Sequence, residues 1–332
     1  MWKILGFFQK NLVWSIPIFM VAGLIVGAVT DPAALKTLII PLTFLMVYPM
    51  MISLQVQKVF MGGDYKVQLL TQLLNFGVIP FFAFGLGKLF FADRPLVALG
   101  LLLASLLPTS GMTISWTGFA RGNISAAIKM TVIGLVLGSV ATPFYAKWLM
   151  GTVVEIPLAS IFSQIGIIVF LPMLLGVVTR ISLIKIVGID RYNKRLKKKF
   201  PAFSTIGVLG IVFVAMALKA KDILAHPWVF LSLLLPLTIL YLVNFLLSTV
   251  VGRVCFKRGD AIALVYGTVM RNLSIALAIA MTAFGKEQGS EIALIIAMAY
   301  IIQVQAAAWY VRLTDRIFGP TPESHSRSLS VS

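Results

Sequence analysis

The chain has 332 residues, 59% of them hydrophobic and 12% charged, with a mean hydropathy of +0.99 and a formal net charge of +17. That balance excludes a soluble domain of ordinary surface chemistry and gives an integral protein of the lipid bilayer. The positive charge lies between apolar runs, where topology explains it better than nucleic acid does, and the one cysteine, Cys255, allows neither an internal disulfide nor a thiol cluster, so neither metal nor cofactor is expected.

A spanning helix needs about 20 largely apolar residues, and lipid satisfies no backbone group, so the apolar runs read as helices. They fall at 12–29, 37–55, 67–91, 95–119, 123–147, 157–180, 201–219, 227–252, 260–284 and 289–311. The start, Met1 to Lys10 ahead of Leu12 to Val29, has no small-residue cleavage site, so the first run is expected to stay as a helix. On helix 2, Tyr48 in Tyr48-Pro49-Met50-Met51 is a candidate to line a cavity, as is Trp116 on helix 4; the competing role for both is packing. Helix 4 is interrupted near mid-span by Pro108-Thr109-Ser110-Gly111. Past the turn Arg121-Gly122-Asn123, Lys129 lies on helix 5 close enough to the interface to snorkel. The basic stretch from Arg191 to Lys199 is the longest connection and reads as a topology anchor on anionic headgroups. Helix 9 carries a polar interruption from Gly267-Thr268 to Arg271-Asn272-Leu273-Ser274. The polar, Ser- and Pro-containing segment 319–332 is expected to be a mobile cytoplasmic tail.

Lys and Arg are concentrated on the side that holds both termini, which assigns the termini to the cytoplasm in the cell (plasma) membrane and requires an even number of spans. Five spans lie on either side of the basic loop, and an odd number per half makes the second half enter in the opposite sense. The expected fold is an all-α membrane protein of ten transmembrane helices in two inverted five-helix repeats, 1–147 and 157–313, with broken helices 4 and 9 crossing near the midplane.

None of the eleven carboxylates falls in the interior of a span, whereas Lys129 and Arg271 do. A charge retained at that depth marks function by default, and two cations without a resident carboxylate point to an anionic or polyhydroxy solute. Each break exposes backbone N–H groups at the positive end of a half-helix. The substrate-binding candidates are Thr109, Ser110, Thr113, Arg271, Asn272 and Ser274, whose hydroxyls, amide and guanidinium suit an oxyanion; the competing role for single hydroxyls is to satisfy local carbonyls. Lys129 either contributes charge, couples transport to proton movement, or snorkels. Asn75, Asn244, Gln303 and Gln305 are expected as interhelical bonds. No nucleophile, base and orienter can be assembled within the spans, so no enzyme is expected; a membrane sensor or scaffold is the other non-transporting class, and protein partners are left open.

The motifs Leu45-Met46-Val47-Tyr48-Pro49, Pro108-Thr109-Ser110-Gly111-Met112 with Trp116-Thr117, Arg121-Gly122-Asn123, and Arg271-Asn272 before an alanine-rich run resemble the bile acid:sodium symporter superfamily and lean toward its arsenical-resistance branch, the arsenite permeases. The resemblance implies secondary transport by alternating access, with helices 4 and 9 in a core domain and helices 1, 2, 6 and 7 in a panel. It also implies two alternatives, arsenite or antimonite efflux and sodium-dependent uptake of an organic anion. The chain departs from both patterns. Thr109 stands where the permeases carry a cysteine, helix 9 lacks the family glutamate around Gly267, Thr268 and Ile275, and Ile114 replaces a sodium-site Asn. Sodium needs oxygen ligands, and nearby cations repel it, so sodium coupling is not expected.

Overall fold

The computed structural model describes residues 7–8, 11–54, 63–197, 199–225 and 227–320; the expected mobile tail lies outside the described residues from 321 onward. Among the described residues the regular elements are all helical. Helix α1 spans Leu12–Val29, and a 3-10 segment, Pro32–Leu38, leads into α2, Ile39–Ser53. Helix α3 covers Tyr65–Phe90 with a π turn at Leu73–Val78. Pro80 causes that turn, because its ring displaces the carbonyl four residues back and donates nothing to it. The released carbonyl of Phe76 accepts instead from the Tyr145 hydroxyl at 2.7 Å.

Two helices follow where one interrupted span was expected, α4a (Pro95–Leu106) and α4b (Gly111–Phe119). Next come α5 (Ile124–Met150), α6 (Leu158–Val187, with a π turn at Gly166–Phe170 ahead of Pro172), α7 (Phe200–Leu218) and α8 (Leu234–Cys255). The second interrupted span is likewise two helices, α9a (Arg258–Val269) and α9b (Leu273–Ala283), and α10 runs Lys286–Phe318. Helix α6 outruns the expected limit of 180 by two turns, while α8 starts late at Leu234 with Pro236 in its first turn, where a missing N–H costs nothing.

Among the described residues, six helices are long and apolar enough to cross a membrane, and four shorter apolar helices accompany them. The protein is a multi-pass membrane protein. Its outer stripes agree with a lipid surrounding: Trp14, Ile18, Val21 and Ile25 on α1 and Leu235, Leu242, Leu246 and Val250 on α8 are all exposed. Since lipid is as apolar as these side chains, helix association relies on close backbone approach. Helix α7 meets α1 at Gly23 and Gly27, where an added Cβ would come within 2.5 Å of the Phe213 carbonyl and 2.1 Å of the Ala217 carbonyl. Gly207 of α7 meets Met46 of α2, and Gly176 of α6 meets Met51 of α2. Helices α1, α2, α6 and α7 thereby form one packed group. A second group joins α3, α4a, α5, α8, α9a and α10, and here α9a is buried along nearly its whole length.

The crossing of two broken helices

Helix α4a stops at Leu106 because Pro108 lacks an N–H and pushes the residue before it out of the helical region. The chain there meets the break of helix 9 in a short antiparallel pairing. The Thr109 N–H donates to the Met270 carbonyl at 2.8 Å, the Asn272 N–H donates to the Leu107 carbonyl at 2.7 Å, and Pro108 and Arg271 form an isolated bridge. Each break therefore supplies partners for the other's backbone.

Two buried broken helices leave orphan carbonyls that must find donors. Asn75 of α3 donates to the Gly267 carbonyl at 3.0 Å and Asn244 of α8 to the Thr268 carbonyl at 3.0 Å. Gln303 of α10 clamps the middle of the break: its Oε1 accepts from the Arg271 N–H at 2.8 Å and from the Tyr241 hydroxyl at 2.9 Å, and its Nε2 donates to the Arg271 carbonyl at 3.2 Å. These polar residues were expected only as interhelical bonds; that three of them converge on one break is visible only in the fold. On the other side, Ser110 caps α4b in a capping box with Thr113, and the Asn272 side chain caps α9b by accepting from the Ile275 N–H.

The arrangement revises the expectation that backbone N–H groups at the breaks face a solute. Those of Thr109, Ser110, Arg271 and Asn272 are all taken, by Met270, the Thr113 hydroxyl, Gln303 and Leu107. Thr109, held at φ +63°, turns its hydroxyl to the carbonyl of Pro108 at 2.6 Å and to those of Met130 and Thr131 on α5 at 3.3 Å. The missing side chain of Gly134 makes room for it, since a Cβ there would lie 2.6 Å from Thr109 Oγ1. Ser274 shares a hydrogen bond with the Tyr300 hydroxyl at 2.6 Å.

What stays unanswered is on side chains. Arg271 is 2% exposed, and neither terminal guanidinium nitrogen has a hydrogen-bond partner among the described residues. The amide nitrogen of Asn272, next in sequence and also 2% exposed, has none either. Three side-chain nitrogens, two of a guanidinium and one of an amide, are thus concentrated at the bridge without partners among the described residues, in a setting where an unanswered polar group is costly.

Lys129 behaves differently. It donates to Asp64 at 3.0 Å and to the Gly63 carbonyl at 3.1 Å, at the start of α3. The expectation that no carboxylate neutralises it fails, because Asp64 lies just outside the span in sequence yet within reach of the lysine's long stem. Asn123 ties the same place together, donating to Asp64 at 3.1 Å and Asp260 at 2.7 Å. Lys129 and Arg271 therefore occupy separate surroundings. Tyr48 bonds to Thr179 of α6 at 2.8 Å and stacks on Phe44; Trp116 is half-buried and meets Phe119 edge to face.

The two second halves differ in exposure. Helix α9b packs against α2 and α6 and is buried almost throughout. Helix α4b has Ser115 and Phe119 exposed and only Thr113 and Thr117 buried, and Gly111 faces Met50 of α2, whose terminal carbon would lie 3.4 Å from a Cβ.

Residues 40–226 match the model of the sodium bile acid symporter family. The chain belongs to that family. Among curated relatives it is 25% identical to the arsenical-resistance protein Acr3 of Corynebacterium glutamicum over 321 residues, covering 92% of this chain and 85% of that protein. It is 23% identical to the Acr3 of Alkaliphilus metalliredigens over 341 residues, 95% of this chain and 94% of the relative. Sodium/bile acid cotransporter 7 of Xenopus tropicalis is 27% identical over 180 residues, 51% of this chain and 49% of that protein. As a member of this family with such relatives, the chain is a membrane transporter.

Proposed function

We propose that the protein is a secondary active transporter of a small anionic solute, or a polyhydroxy solute ionised enough to carry negative charge, working by alternating access without sodium. In this reading ten spans form two inverted repeats in the plasma membrane with both termini cytoplasmic. The core carries α4a, α4b, α9a and α9b, and the panel carries α1, α2, α6 and α7. The observation that carries the proposal is the buried Arg271, whose two terminal nitrogens, with the adjacent Asn272 amide, have no partner among the described residues. A guanidinium presents a planar fork of donors that matches carboxylates and oxyanions. Thr109, Ser110 and Thr113 shape the crossing through their bonds to backbone, and Ser274 with Tyr300 supplies hydroxyls beside it. Lys129, paired with Asp64, contributes charge balance at the end of the core rather than proton coupling. Tyr48 and Trp116 border the path between core and panel. The contrast between the exposed α4b and the buried α9b supports a path open on the side of α4b and sealed on the other.

Arsenite or antimonite efflux is the second reading, favoured by what the relatives' names state of those proteins. The chain's one thiol, Cys255, sits at the end of α8, away from the crossing, so a thiophilic solute would find no thiolate there. Uptake of labelled sulfate, phosphate and lactate into proteoliposomes preloaded with the same unlabelled anion, with sodium or choline as the external cation, tests the main reading. Wild type is expected to move at least one probe independently of sodium, and Arg271→Gln to lose that uptake while folding normally. Undiminished uptake by a folded Arg271→Gln overturns the assignment, and arsenite tolerance conferred on a sensitive host would turn the choice to the second reading.

A further inference from the structure

We infer that this transporter is an obligate exchanger: its core crosses between the two access states readily only with an anion seated against Arg271, so one anion moves out for each that moves in. The inference rests on the anion site proposed above and concerns how that site couples. Its basis is the charge inventory of the core. Three other charged groups there are answered by the chain itself: Lys129 by Asp64 and the Gly63 carbonyl, Asp260 by Asn123, and Arg258 by Asp315 together with the carbonyls of Ala120, Arg121 and Gly319. Arg271 is not. No carboxylate is bonded to it, Gln303 is fully engaged with its backbone and with Tyr241, and its terminal nitrogens are buried without a partner among the described residues.

Alternating access requires an intermediate closed on both sides, in which water cannot reach the crossing. An unanswered guanidinium in that state bears the full desolvation penalty of a buried ion, whereas a guanidinium paired with an anion recovers much of it through short-range attraction and hydrogen bonds. With a monovalent anion the empty core also carries one more positive charge than the loaded one, so its return moves charge through the membrane field while the loaded passage is electroneutral. Both effects act in one direction: they slow the empty return and leave the loaded passage unhindered. Net transport needs the empty return; exchange does not. A carboxylate supplied by the chain, or a bonded partner for Nη1 and Nη2, would remove the distinction, and among the described residues the fold around Arg271 provides neither.

The experiment uses full-length protein in proteoliposomes with sulfate, phosphate and lactate as separate labelled probes outside. Vesicles are loaded with the same unlabelled anion or with Hepes alone, and potassium with valinomycin holds the potential at zero so that charge build-up cannot limit net flux. Uptake into anion-loaded vesicles is expected to exceed uptake into Hepes vesicles at least tenfold, and for the monovalent probe lactate to stay unchanged when an inside-negative or inside-positive potential is imposed. Equal initial rates in the two loadings, with transport intact, would overturn the exchange inference and leave the anion site standing. Failure of every probe to move even under exchange would overturn the anion site and the inference with it. Arg271→Gln is expected to lose exchange and net uptake together, as the anion site requires, while Arg271→Lys, which keeps the unanswered charge, keeps a high ratio of exchange to net uptake. Should either variant fail to fold, the wild-type ratio still decides.

Discussion

Replacing Gln303 by leucine tests how the break of helix 9 is held. The side chain is 0% exposed and makes three hydrogen bonds, two to the backbone of Arg271 and one to the Tyr241 hydroxyl, at 2.8, 3.2 and 2.9 Å. Leucine answers none of them and leaves an N–H, a carbonyl and a phenol buried without partners. Such groups cost about 1–3 kcal/mol each in soluble proteins. Interhelical bonds in membranes average nearer ~0.6 kcal/mol, because the unfolded helices find other partners. Between those limits the three losses amount to roughly 2–6 kcal/mol. Tyr241→Phe removes only the phenol bond and should cost about a third as much, so the pair calibrates the larger effect. Thermal unfolding of purified protein in one detergent, followed by anion exchange in proteoliposomes, gives both readouts. Gln303→Leu is expected to melt well below Tyr241→Phe and to lose exchange, since Arg271 is no longer fixed in place. If Gln303→Leu melts and transports like the wild type, the clamp is not what holds the break, and the account of Arg271's position fails.

Gly134→Ala should destabilise by about 1–3 kcal/mol through overpacking, because the new methyl would meet Thr109 Oγ1 at 2.6 Å; Thr109→Ala in the same chain should recover part of the loss, measured as a double-mutant cycle of melting temperatures. Asn123→Ala removes bonds to Asp64 and Asp260 as well as the cap on the Ala126 N–H, an expected loss of roughly 2–4 kcal/mol that unfolding in detergent should register. Lys129→Met leaves Asp64 without its ammonium and should lower stability while preserving the anion preference and the pH profile of uptake; an altered pH profile would instead assign Lys129 to proton coupling. Tyr192→Phe removes the bond from its buried hydroxyl to the Ile52 carbonyl and should cost about 1 kcal/mol, visible as a lowered melting temperature.

Much of the fold was legible because lipid imposes a simple rule. Long apolar runs must be helices, and the spans at 12–29, 123–147 and 201–219 agree with α1, α5 and α7 to within three residues. The breaks at Pro108 and Arg271 were legible for a related reason: proline and clustered polar residues at mid-span are tolerated only where other groups satisfy the backbone. The π turns at Leu73–Val78 and Gly166–Phe170 were not anticipated, although Pro80 and Pro172 were their local signal.

Within the site, residue types alone identified Arg271 and Asn272 as candidates, and geometry then separated them from their companions. Thr109 and Thr113 were candidates on the same grounds as Asn272, but their hydroxyls are engaged with backbone, while the Asn272 amide nitrogen has no partner among the described residues. Lys129 looked as solitary as Arg271 because Asp64, 65 residues earlier, lies outside any span.

By itself the sequence determined that the chain lives in a bilayer, where its helices run, and that two of them break around polar residues, since each of those follows from local composition against a solvent that cannot hydrogen-bond. Only the tertiary structure decided which buried groups answer one another. The bond from Asn75 to the Gly267 carbonyl joins residues 192 apart, and no periodicity in the chain encodes such a meeting. Arg271 takes its significance from the same source: a buried charge is ordinary when the fold brings it a partner, and here the fold brings its backbone two bonds from Gln303 and, among the described residues, its guanidinium termini none.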